Sequence, residues 1–325
     1  MNCMKKVQSE TCGVAVVAIG GNALVLDDSH KTVPDQFLAA KRAMKNVADI
    51  VEAGWEVVLT HGNGPQVGYI LRRSELALDE LHPVPMDYAG ADTQGAIGYM
   101  FQKALRNEFV RRKILRRVVA VVTQVIVSVD DSAFLKPTKP IGSYMSGSRA
   151  KKMADNYGWA ISEESELGWR RVVPSPYPKD IVELDFIRGV LGSDSVVITC
   201  GGGGIPVVER EDGTIKGVEA VVDKDYASCM LARKINADVF VVTTNVDRVA
   251  INFGKKNEYW LDKTSVAELE KFVKEGQFPD GSMGPKVHSI MRFVAGSGKR
   301  AIITDIDSLA ASLRGEAGTS ITGDS

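Results

Sequence analysis

Residues 55–76 read WEVVLTHGNGPQVGYILRRSEL. The run EVVLT (56–60) is apolar on both alternating faces, the pattern of a strand buried on two sides rather than one. YILRRSEL, after it, has the composition of a helix. Between them THGNGPQVG (60–68) places three glycines, an asparagine and a proline where the strand meets the helix. Two readings of that junction are open. Gly and Asn tolerate positive φ and punctuate turns. Small residues also let the backbone come close to a ligand, and the N–H groups at a helix start point at an anion.

Working outward, the strand–helix alternation recurs along the chain. VAVVAI (14–19), VVAVVTQV (118–125), SVVIT (195–199), DVFVVTT (238–244) and KRAIIT (299–304) read as further buried strands. Helix-like segments lie between them, near 35–53, 65–78, 90–113, 180–191, 224–236, 265–275 and 285–296. This is the signature of βαβ units, hence an α/β fold with a mainly parallel sheet and helices on both faces. One stretch breaks the rhythm. From about Asp130 to Pro178 the chain is rich in Pro, Gly, Ser and aromatics, too long for a plain connection and suited to a lid or small subdomain. Tyr144, Tyr157, Trp159 and Trp169 argue against disorder there. EDGTIKG (211–217) reads as a hairpin turn.

The chain has 325 residues, 44% hydrophobic and 25% charged, with a formal net charge of -1. That balance gives no electrostatic case for nucleic acid or an acidic membrane surface. The local basic run Arg111, Arg112, Lys113, Arg116, Arg117 is read as a solvated helix end, where cations suit the dipole. Cys3, Cys12, Cys200 and Cys229 form no C-x-x-C, so a reducing, cytoplasmic setting is expected. The opening MNCMKKVQSETC has no apolar core and is expected to be a flexible extension over 1–13, not a secretory signal. No apolar run reaches the length of a membrane span.

Three glycine clusters each follow a strand: Gly20-Gly21-Asn22, Gly62-Asn63-Gly64 and Gly201 to Gly204. In open parallel sheets ligands bind beyond the carboxyl ends of the strands, so the three are expected to converge on one crevice. There is no G-x-x-x-x-G-K-[ST], no dinucleotide fingerprint and no protein-kinase signature. Lys224 stands between Asp223 and Asp225 at a helix start, and Lys286 just inside another. A first-turn lysine opposes the helix dipole and makes sense where a polyanion bridges it. With the glycine clusters, this favours a phosphate site, with both lysines at a solvated crevice.

At these residues the chain resembles the carbamate kinases of the amino acid kinase family, over roughly Val16 to Thr319. AIGGNAL, THGNGPQVG, QGAIGYM, PTKPIG, GWRRVVPSPYP, CGGGGIPVV, GVEAVVDKD, INFGK and GQFPDGSMGPKV carry the resemblance. It implies one open αβα sandwich with a mostly parallel sheet of about eight strands, and a protruding subdomain over about 130–175. It implies a carbamoyl phosphate lobe over about 14–190 and a nucleotide lobe over about 191–325, in a homodimer. The implied reaction is reversible phosphoryl transfer between ATP and carbamate, with Mg²⁺ on the nucleotide, in arginine or related nitrogen-compound catabolism. Gly20, Gly21 and Asn22 would line the phosphoryl path, and Gly62, Asn63 and Gly64 would hold the carbamoyl phosphate end. Lys139 would reach in from the subdomain, Lys224 and Lys286 would neutralise the phosphoryl group, and Asp225 would orient them. The nucleotide would sit near Gly202, Gly203, Val246 and Asp247. Asn245 and Ala250 depart from the aspartate and tyrosine common in the family, and Ala91, Asp92 and Thr93 from its small or apolar residues. The alternatives are a kinase of this fold with another acceptor, and a catalytically silent nucleotide-binding regulator.

Overall fold

The computed structural model describes residues 11–25, 29–164, 167–279 and 281–323, without the side chains of 22 and 23. The expected extension over 1–13 therefore lies mostly outside the described residues. Eight strands form the central sheet: β1 Val14–Ile19, β2 Glu56–His61, β3 Arg117–Ala120, β4 Ser195–Ile198, β5 Val239–Thr244, β6 Lys263–Ser265, β7 Ala301–Asp305 and β8 Thr319–Thr322. Their order is β6-β8-β7-β5-β1-β2-β4-β3. Every pairing is parallel except β7 with β8. Although β4 comes late in the chain, it lies between β2 and β3.

Alternation along the strands builds two cores. On β1, Val16 and Ala18 face one side while Ala15, Val17 and Ile19 face the other. On β5, Phe240 and Val242 join the first side, Val239 and Val241 the second. In chain order the α-helices of the described residues are α1 Val33–Glu52, α2 Gly64–Leu76, α3 Met86–Arg112, α4 Gly147–Tyr157, α5 Leu184–Val190, α6 Lys224–Lys234, α7 Val266–Lys274, α8 Met283–Ser297 and α9 Leu309–Arg314. The first side is covered chiefly by α6 and α8. The second is covered by α1 (Val33–Glu52), α3 (Met86–Arg112) and α9 (Leu309–Arg314). This is the expected three-layer αβα arrangement, and it explains why the strands read as continuous apolar runs.

Several boundaries differ from the sequence reading. VVAVVTQV is not one strand. Its first half is β3, while Gln124–Val127 belongs to a separate four-stranded sheet and pairs with Ile205–Glu209. The segment 180–191 begins as a strand, Pro178–Ile181, and becomes helical only over Leu184–Val190. Arg112 is not solvated. Its guanidinium bonds Asp49 at 2.6 Å and Glu52 at 3.0 Å on α1, and Glu108 at 2.7 Å on its own helix, pinning α3 to α1. The 211–217 hairpin is present, joining Ile205–Glu209 to Ile215–Gly217. The irregular insertion forms a three-stranded antiparallel sheet from Lys139–Met145, Gly168–Val173 and Ala160–Glu164, with a helix over Gly147–Tyr157. Much of the stretch from about Asp130 to Pro178 that breaks the strand–helix rhythm in the sequence is therefore regular structure, a small subdomain.

At the carboxyl end of β2 His61 is buried, edge-on to Phe101 with ring centroids 5.6 Å apart. Burial pushes its pKa down to about 4, with the Lys224 ammonium adding to the effect and the Gly62 carbonyl opposing it. The ring is therefore neutral at neutral pH. Its Nδ1, 3.1 Å from the Gly62 carbonyl oxygen, carries the proton, because a carbonyl can only accept. Below the ordinary value of 6.5 the unfolded chain takes up a proton here that the folded chain refuses until about 4. Stability is thus fully present above 6.5 and is withdrawn as the pH falls through that window. His61→Gln, which does not titrate, should flatten the fall in Tm across this range; an unchanged slope would place the effect elsewhere. Phe240→Ala, in the centre of the sheet against Phe293 at 5.5 Å, should cost about 3–5 kcal/mol in urea unfolding.

Candidate active site

The neighbouring parallel strands β2, β1 and β5 end together, and the loops that leave them line a cleft of about 660 Å³. Gly20, Gly21, Gly62, Asn63 and Gly64 form one wall with Gly202. At two of these positions the wall needs glycine for a steric reason. A Cβ on Gly62 would stand 2.7 Å from the Gly21 nitrogen and 3.0 Å from its Cα, so the first two glycine loops touch backbone to backbone. Gly202 adopts φ +67°, and a Cβ there would run into the Asn63 amide. All three glycine clusters reach the same cleft, as the strand-end argument requires.

The charged floor comes from the start of α6. Asp223 is its N-cap: Oδ1 accepts from the Asp225 N–H at 2.9 Å, and Oδ2 accepts from Lys139 Nζ at 2.9 Å. Lys139 stands on the subdomain strand Lys139–Met145, so this ion pair spans the cleft mouth. Asp225 is 3% exposed and bridges two ammonium groups. Lys224 Nζ donates to Oδ1 at 2.5 Å and Lys286 Nζ to Oδ2 at 3.0 Å. Burial works against the charged form of Asp225, yet the two lysines outweigh it and hold its carboxyl below the usual range. Burial, with Lys286 nearby, lowers the pKa of Lys224 although Asp225 opposes the shift.

The lysines are less solvated than the sequence suggested. Their side chains are 12% and 16% exposed, sunk into the wall with only part of each in the cleft. Arg170 lines the subdomain side, its Nη2 donating to the Gly142 carbonyl at 3.1 Å. Four cations therefore face two carboxylates, and the lining carries net positive charge. The positive end of the α6 dipole, at Lys224 and Asp225 on the same lining, adds to it. The arrangement suits a polyanion.

Not every candidate lies in the cleft. Gly203, Val246 and Asp247 are not on its lining. The Asp247 carboxylate accepts instead from the Gly318 N–H at 3.2 Å and pairs with Arg248 at 3.4 Å. The Asn22 side chain lies outside the described residues. Of the departures noted in the sequence, Asn245 lines the cleft, Ala250 is buried in a strand and Asp92 is exposed on α3 away from it. The sequence reading missed Gln94, whose buried amide ties three elements together. It donates to the carbonyls of Thr123 and Gly201, both at 3.0 Å, and accepts from the Thr123 N–H at 2.7 Å, fixing the third glycine loop. A polar residue on the buried face of α3 was the available signal. Asp223 and Arg170 were also missed as lining groups.

Known proteins share this architecture. The chain is 48% identical to the carbamate kinase of Pyrococcus horikoshii over 94% of its length and 98% of that protein. It is 44% identical to the carbamate kinase-like protein YahI of Escherichia coli, over 95% and 98%. A carbamate kinase from Giardia lamblia bound to AMP-PNP superposes with a TM-score of 0.91 at 39% identity, covering 96% of this chain and 99% of that one. The amino acid kinase family model matches residues 13–305, which hold the whole sheet up to β7 and every glycine loop and lysine of the cleft. By sequence over nearly its whole length and by fold, the chain belongs to the amino acid kinase family.

Proposed function

We propose that the protein is a carbamate kinase, transferring a phosphoryl group reversibly between ATP and carbamate. The observation that carries this reading is the cleft itself: two lysines held by one buried aspartate opposite glycine loops whose backbone can reach a small anion. Near-full-length identity to proteins of that name supports it.

In the direction of ATP formation, a β-phosphate oxygen of ADP bonds to the phosphorus of carbamoyl phosphate. The bond from phosphorus to the carbamoyl oxygen breaks, and the electron pair leaves on carbamate as its carboxylate. No proton moves, so no general base is required, and Asp225, held ionised by its lysines, serves to place them. Catalysis then rests on aligning two anions and on preorganised positive charge around the phosphoryl oxygens. Lys224 and Lys286 supply that charge from the floor, and Lys139 supplies it from the subdomain. The Gly20-Gly21 and Gly62-Asn63-Gly64 loops hold the transferred group and the carbamoyl end. The nucleotide takes the side of the cleft near Gly202, Asn245 and Ser282, in the lobe that begins near residue 191.

The two cleft carboxylates, Asp223 and Asp225, already bond lysines. Mg²⁺ is therefore read as part of the nucleotide substrate, carried on its phosphates. The reading brings with it a cytoplasmic homodimer working in nitrogen-compound catabolism. Among the described residues Cys12, Cys200 and Cys229 are free, which suits a reducing compartment, and no helix among them is long and apolar enough to cross a membrane.

Purified protein given ADP, Mg²⁺ and carbamoyl phosphate should form ATP well above spontaneous carbamoyl phosphate decay. Folded protein that binds ADP and makes no ATP would refute the proposal. Lys224→Ala and Lys286→Ala should each lower kcat by about 10²–10³. Because both side chains are largely buried, each should also lower Tm, as Asp225 loses a partner. Near-normal turnover in either variant would remove that lysine from the mechanism.

A further inference from the structure

Asn63 occupies the N-cap of α2 (Gly64–Leu76), the position where an asparagine ordinarily turns its side chain back onto its own helix. Here it makes no such bond. Its amide nitrogen Nδ2 donates instead to Thr93 Oγ1 on α3, at 2.8 Å. Thr93 is fully buried, and its hydroxyl donates to the Gly90 carbonyl at 2.7 Å.

The direction of these bonds follows from proton counting. A hydroxyl has one hydrogen, and a carbonyl can only accept, so the Thr93 proton goes to Gly90. Toward Asn63 the hydroxyl then offers only a lone pair, and the amide must present its N–H to it. Turning the amide over would set two acceptors against each other or break the bond to Gly90. One orientation keeps both bonds and the other keeps one, which settles an assignment that heavy-atom positions alone leave open. The Gly202 backbone, close enough that a Cβ there would strike the amide, leaves little room to swing. The amide oxygen Oδ1 has no protein partner among the described residues and is not one of their sealed polar atoms, while Asn63 lines the cleft. With Nδ2 committed to Thr93, what the amide has left to offer a ligand in the cleft is thus an acceptor.

We infer that Thr93 is a positioning residue that sets the polarity of the Asn63 amide, so that the cleft accepts a hydrogen bond from the amino group of carbamate and discriminates against an isosteric acyl group with a methyl in its place. The inference rests on the carbamate reading and deepens it. A site built to receive an N–H leaves a polar atom unpaired when the N–H is missing, which discriminates better than shape alone.

The test compares ATP formation from ADP with carbamoyl phosphate and with acetyl phosphate. Acetyl phosphate is also measured as an inhibitor of carbamoyl phosphate use, which defines its affinity even without turnover. Thr93→Val should narrow the preference for carbamoyl phosphate roughly tenfold, through a loss on carbamoyl phosphate alone. Thr93→Ser, which keeps the hydroxyl, should hold the preference within about twofold. If the valine variant does not fold, Thr93→Ala removes the same hydroxyl without adding bulk. An equal loss on both acyl phosphates, or an unchanged preference, overturns the assignment while leaving the carbamate reading intact. Wild-type protein that makes no ATP from carbamoyl phosphate overturns both.

Discussion

Asp225 carries two ammonium groups on one buried carboxylate, and the chemistry of the cleft depends on that sharing. Burial lowers the pKa of Lys224 even with the carboxylate at 2.5 Å, so the charge of that lysine leans on its partner. The carboxylate in turn would be driven towards its neutral form by burial without the lysines. The triad carries one net positive charge, fixed in direction before any substrate arrives. A phosphoryl group entering the cleft meets charge that has little reorganisation left to undergo. Such a device is fragile, because removing any one member strands the others.

Around that triad, the backbone does the work that side chains do elsewhere. The loops after β1 and β2 touch at Gly21 and Gly62, and the loop after β4 closes on Asn63 through Gly202. A methyl on Gly62 or on Gly202 would spoil its contact, so close approach requires glycine at these two positions. Gln94 and Thr123 lock the third loop from behind, and His61, neutral and edge-on to Phe101, fills the space beneath the second. On the opposite side the subdomain meets the rim through the Lys139–Asp223 ion pair, and Arg171 to Glu219 and Arg149 to Glu75 tie it to the main body. Asp223 therefore has two jobs, capping α6 and holding Lys139, one with each oxygen.

The sequence by itself determined the layered α/β class, because runs such as VAVVAI and DVFVVTT are apolar on both faces and only a sheet covered on two sides accommodates that. It also determined that the glycine clusters share one edge, since parallel strands put all their carboxyl ends together, and it singled out Lys224, Lys286, Lys139 and Asp225. Only the tertiary structure decided the rest. Whether VVAVVTQV is one strand or two depends on which sheet each half pairs with, a long-range fact. Asp247 looks like a cleft residue from its place after β5, but its carboxylate is spent on Gly318, far along the chain. Arg112 reads as a solvated helix end until Asp49 and Glu52 are brought against it. The polarity of the Asn63 amide is the clearest case. It is set by a hydroxyl thirty positions away and by the carbonyl that hydroxyl already serves, and hydrogen-bond direction is a property of the assembled network, not of the residues taken in order.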